Sequence, residues 1–74
     1  MRAAIGIDVG GTKIAGGVVD TASGRVLIRR HAATGAARGG AAVLAEVAAM
    51  AEALAAAAQA QGLRVDTTGI GLCE

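Results

Sequence analysis

The sequence predicts a mixed α/β fold in the order strand, strand, strand, helix, strand. Three observations predict it. Residues 3–9, 13–20 and 25–31 are short apolar runs separated by glycine-containing turns, and the first alternates with the period of a half-buried strand. From Ala41 the period changes, and apolar residues recur at helical spacing through an alanine-rich stretch that stops at Gly62. Residues 67–72 then return to strand-like composition. Strands joined by tight turns form an antiparallel meander, and a long crossover helix can return a strand parallel to the first. The expected sheet order is therefore third, second, first, fourth.

In the first strand Ile5, Ile7 and Val9 share one face and Asp8 points to the other. Gly10-Gly11 marks the turn. In the second, Ile14, Gly16 and Val18 face one way, and Ala15, Gly17 and Val19 the other. Gly16-Gly17 inside a strand predicts a bulge or the close approach of another backbone or a ligand. Residues 20–24 have turn composition, with Asp20 capping the turn into Thr21. The third strand is expected to set Val26 and Ile28 against Arg25, Leu27 and Arg29, whose charges suit a sheet edge. Residues 32–40 read as a loop. On the helix, Leu44, Val47, Ala51, Leu54 and Ala58 form the apolar face, with Glu46, Glu52 and Gln59 elsewhere. Alanine has the highest helix propensity, so the helix is well supported although its face is shallow. Residues 63–66 are expected to be a connection.

Composition limits what such a fold can be. The chain has 74 residues, and a folded chain of this size buries only about 60% of its unfolded surface. It has no Phe, Tyr or Trp, so its core is built from smaller side chains. Its single cysteine excludes an internal disulfide. One helix covers one face of the sheet, leaving the other face and the edge of the fourth strand bare. These features together predict part of a larger domain. Net charge is +1, Arg29-Arg30 is too short for a basic patch, and no aromatic ring is present to stack on bases, so no nucleic-acid partner is expected. The run after Met1-Arg2 is broken by Asp8, unlike a signal peptide. Residues 41–60 approach the ~20 apolar residues that span a bilayer, but they carry Glu46 and Glu52 and read as a soluble helix. No membrane partner and a cytoplasmic location are expected.

The chemistry is concentrated in residues 8–13, Asp-Val-Gly-Gly-Thr-Lys. Consecutive glycines let backbone N–H groups approach phosphate oxygens with no side chain intervening. Thr12 adds a hydroxyl and Lys13 a positive charge. Asp8 suits a role through Mg²⁺, which takes carboxylate oxygens and retained waters. The stretch from Gly6 to Lys13 nearly spells a P-loop, but the order is Thr12-Lys13 rather than Lys then Ser/Thr, and a strand follows where a P-loop opens a helix. The dinucleotide fingerprint is absent, and no helix follows the first strand.

Residues 5–20 resemble the first phosphate motif of the ROK family (repressors, open reading frames and sugar kinases), and Gly69-Ile70-Gly71 resembles a later family segment. The resemblance implies a ribonuclease-H-like (actin-like ATPase) half-domain, with residues 1–74 as the N-terminal part of a single ATPase domain. It implies ATP-dependent phosphorylation of a hexose or N-acetylhexosamine, with ATP and Mg²⁺ as cofactors. Gly10, Gly11, Thr12 and Lys13 would line the ATP phosphates and Asp8 would act on Mg²⁺ through water. The general base, the adenosine-binding segment and the Cys-rich motif for structural zinc would lie beyond Glu74, and the complete protein would be a homodimer. Family members often follow Gly-Ile-Gly with one residue and then Pro-Gly, whereas this chain has Leu72-Cys73-Glu74. Two alternatives stand beside the kinase. One is a sugar-responsive repressor of the same family, which would carry a helix-turn-helix ahead of Met1. The other is an inactive truncated reading frame, whose exposed sheet face would make it poorly soluble.

Outside the motif, His31 reads as a solvent-facing edge residue and Cys73 as a small apolar residue at a strand end. By themselves, Asp8 would be a turn acid and Lys13 a solvated lysine; the Gly-Gly-Thr-Lys context is what favours phosphate chemistry.

Overall fold

The computed structural model describes residues 2–72. The expectations for Met1, Cys73 and Glu74 lie outside the described residues. Strands β1 (Arg2–Val9), β2 (Lys13–Asp20) and β3 (Val26–Ala33) are followed by a 3₁₀ turn at Ala36–Arg38, helix α1 (Gly40–Ala60) and strand β4 (Arg64–Leu72). The sheet order is β3-β2-β1-β4, with β1 antiparallel to β2, β2 antiparallel to β3 and β1 parallel to β4. This mixed four-stranded sheet with one helix has the element order and strand order that the periodicities predict.

Alternation sorts the sheet into two faces. Ile5, Ile7, Val9, Ile14, Val18 and Ile28 are buried with Val47, Met50, Leu54 and Ala58 of α1. Asp8 and Gly6 of β1 are exposed on the opposite face. Gly16 explains how α1 comes so close to the sheet. A Cβ there would lie 2.7 Å from Met50 Sδ and 2.9 Å from Leu54 Cδ1. The close approach expected at Gly16-Gly17 is made by helix side chains at Gly16 and by the β3 backbone at Gly17, where a Cβ would lie 3.0 Å from Ile28 O.

Four expectations about facing and extent are corrected. Leu44 is 71% exposed and Met50 takes its place in the buried face. At about 100° per residue, Leu44 sits roughly 75° from the centre of the Val47-Met50-Leu54-Ala58 stripe. Val26 and Ile28 were expected on one face, but the β2–β3 pairing shifts register between Val18 and Val19, which pair with Ile28 and Val26. Leu27 is thus the extra residue of a bulge, so Ile28 is buried under α1 and Val26 turns to the open face beside Gly17. Residues 64–66 belong to β4, not to a connection. A second register shift pairs Ala3 with Val65 and Ala4 with Thr67, so Asp66 is left over within the strand. It meets Arg2 at 3.6 Å and Arg64 at 3.5 Å in exposed pairs. The loop expected at 32–40 is also shorter, since β3 continues in regular pairing to Ala33, opposite Lys13.

The turns follow local chemistry. Asp20 caps its turn as expected, accepting from Ala22 N–H and from the Ser23 hydroxyl, each at 3.0 Å. The helix stops at Gly62, which has φ 72°. Leu63 N–H donates to Ala58 O at 2.9 Å and Gly62 N–H to Gln59 O at 3.0 Å, the paired bonds of a Schellman end.

One face of the sheet stays open. Helix α1 also leaves the far end of β4 uncovered, with Ile70 58% and Leu72 80% exposed. Among the described residues α1 is the one helix long and apolar enough, by length and composition, to cross a membrane, with a mean hydropathy of 1.7. Here it lays one face on the sheet.

Candidate functional site

The β1–β2 turn stands at the end of the sheet where the parallel strands β1 and β4 both terminate. That end of an open α/β sheet is where ligands generally bind. Gly10 N–H donates to Lys13 O at 2.9 Å and closes the turn, placing Gly11 and Thr12 at its tip. The two glycines are there for different reasons. A Cβ on Gly10 would lie 3.2 Å from Lys13 O, so the turn itself favours glycine at that position. A Cβ on Gly11 would meet only open space, and Gly11 has no positive φ. Neither backbone conformation nor packing calls for glycine at Gly11.

The carbonyls of Gly10 and Thr12 are occupied, and the amides at the tip of the turn are not. Gly10 O accepts from the Thr34 hydroxyl at 2.8 Å, and Thr12 O accepts from Thr34 N–H at 3.0 Å. Among the described residues, the N–H groups of Gly11 and Thr12 and the Thr12 hydroxyl have no hydrogen-bond partner. Gly11, Thr12 and Lys13 are all exposed. Two adjacent amides presented to solvent form the kind of partial positive charge that binds an anion.

Asp8 pairs with Ala15 of β2 and with Gly71 of β4. Lys13 precedes the buried Ile14, so alternation puts it on the open face with Ala15 and therefore with Asp8. A Cβ on Gly71 would lie 3.2 Å from Asp8 Oδ1. Glycine at this position therefore keeps space beside the carboxylate. Gly71 was visible in the sequence as part of Gly69-Ile70-Gly71, but its contact with Asp8 depends on β4 returning beside β1. Among the described residues, no three His, Cys, Asp or Glu side chains gather as a ready-made metal site. The donor set fits Mg²⁺ held by one carboxylate, with water and phosphate oxygens completing its shell.

Next to these residues the open face forms a shallow depression of about 190 Å³. Its floor is small, with Gly6, Ala15 and Gly17, and Arg29 and His31 of β3 stand along one side. His31 is exposed, as expected for an edge strand. Thus the structure places Asp8, Gly10, Gly11, Thr12 and Lys13 at one end of the sheet. It adds Gly71 and Thr34, neither of which the motif reveals. Comparison with known protein families, curated proteins and solved structures finds no match to this chain.

The contrast between the two turn glycines leads to a first prediction. Gly11→Ala should leave thermal stability within about 0.5 kcal/mol of the parent, as for a surface change that touches nothing. If phosphate approaches the turn as the sequence resemblance implies, the new methyl should nevertheless weaken binding of MgATP. Thermal denaturation and a nucleotide titration on the same sample check both halves. Loss of stability without loss of binding would assign Gly11 to the fold alone.

Proposed function

We propose that this chain is the N-terminal part of a ROK-type ATPase domain with a ribonuclease-H-like fold. In the complete, cytoplasmic and dimeric protein, that domain phosphorylates a hexose or N-acetylhexosamine with ATP. The observation that carries the reading is the pair of unpartnered amides at Gly11 and Thr12, set on the same turn as Lys13 and beside Asp8. The strand order and the exposed sheet face agree with a half-domain of this kind.

On this reading the amides of Gly11 and Thr12, the Thr12 hydroxyl and the Lys13 ammonium bind and orient the ATP phosphates. Asp8 holds Mg²⁺ through water, and the ion, when bound, neutralises charge on the phosphates. Phosphoryl transfer needs mainly positioning and electrostatic stabilisation, which backbone donors and a fixed carboxylate supply. The general base that takes the proton from the sugar hydroxyl lies outside this chain, as do the adenosine-binding segment and any zinc motif.

The test is ADP release in a coupled assay against a panel of hexoses and N-acetylhexosamines. The complete protein should release ADP with at least one sugar, and the 74-residue chain with none. No sugar-dependent release from the complete protein would overturn the kinase reading. Release by the short chain alone would overturn the placement of the base outside it.

A further inference from the structure

We infer that Thr34, just past the end of β3, is the positioning residue that aims the amides of the β1–β2 turn at the bound anion. The inference deepens the phosphate-binding role proposed above and rests on it.

Thr34 is the one buried polar residue among the described residues, 4% exposed. Buried polar groups need partners, and Thr34 directs its own to the turn. Its hydroxyl donates to Gly10 O at 2.8 Å and its N–H donates to Thr12 O at 3.0 Å. The peptide between Gly10 and Gly11 is planar and trans, so its N–H points opposite to its C=O. Holding Gly10 O toward Thr34 therefore turns the Gly11 N–H away from Thr34. Fixing Thr12 O as well leaves the Gly11–Thr12 peptide between two anchored planes. A glycine-rich turn has many backbone states to lose on binding, and an anchored one loses fewer.

Thr34 is itself held. Its carbonyl accepts from Arg38 Nη2 at 3.0 Å, and Arg38 Nη1 lies 3.7 Å from Glu46 of α1. Gly35 has φ 59°, which lets the chain fold Arg38 back over Thr34. The segment from Thr34 to Arg38 is thus a strap behind the turn, on the side away from the Gly11 N–H.

The experiment is amide NMR on the ¹⁵N-labelled 74-residue chain, titrated separately with inorganic tripolyphosphate and with MgATP. The variants are Thr34→Val, which removes the hydroxyl at nearly constant shape, and Thr34→Ser, which keeps it. Thr34→Ala is the second hydroxyl-free variant if valine disturbs the β1–β2 ladder amides. In the parent, both probes should shift the Gly11 and Thr12 amides. Thr34→Val should weaken this response about tenfold or more, while Thr34→Ser stays within about threefold. Gly11 and Thr12 should also gain fast motion in Thr34→Val without any probe, with the ladder intact. Equal binding by Thr34→Val and the parent would overturn the inference and leave the nucleotide reading standing. A Thr34-dependent response to tripolyphosphate with none to MgATP would support the positioning role and overturn the nucleotide reading. No shift at Gly11 or Thr12 with either probe in the parent would overturn the inference.

Discussion

Asp8→Asn is expected, on the proposed kinase reading, to lower the turnover of the complete protein by roughly 100-fold or more, the scale seen when a single electrostatic stabiliser is lost from an active site. Asparagine keeps the shape of aspartate, so the carboxylate's place beside Gly71 is filled by an amide of the same size. Asp8 is exposed and forms no ion pair among the described residues, so the folded state has little to lose. Stability should change by no more than about 0.5 kcal/mol. What disappears is the negative charge, which a hard cation such as Mg²⁺ needs and a neutral amide does not provide. Steady-state kinetics over a range of Mg²⁺ concentrations, together with thermal denaturation, separates these effects. Turnover close to that of the parent would remove Asp8 from its proposed role.

Leu54→Ala is expected to have the largest effect on stability, about 2–5 kcal/mol. Leu54 is fully buried, and its Cδ1 lies above Gly16 of β2. The chain has no aromatic residue with which to rebuild the contact. A domain of this size has a net stability of roughly 4–11 kcal/mol, so the loss is a large fraction of the whole. Gly16 sharpens the effect, because a glycine offers no side chain to relax into the cavity. Urea denaturation followed by circular dichroism measures it, and a midpoint unchanged from the parent would show that α1 does not depend on this contact. Leu44→Ala is the internal control, since Leu44 is exposed and lies off the buried stripe.

Much of this protein is written locally, in signals within a few residues of one another. The period-two runs, the glycine turns and the single alanine-rich helix determine the element order, and the short connections determine that β1, β2 and β3 pair in sequence. The chemistry of residues 8–13 is equally local, because a carboxylate, two glycines, a hydroxyl and an ammonium on one hairpin need no distant partner to suggest a phosphate. Tertiary structure decided the rest. Leu27 and Asp66 become extra residues of register shifts only because neighbouring strands must stay paired while burying their own apolar faces. Those shifts carry Val26 to the open face and draw residues 64–66 into β4. Met50 replaces Leu44 in the core because the stripe is set by where α1 crosses Gly16. Gly71 reaches Asp8 because β4 returns parallel to β1, and Thr34 reaches Gly10 across 24 residues of sequence. A sequence pattern records what each residue prefers, whereas these contacts depend on which distant backbone the packed sheet brings beside it.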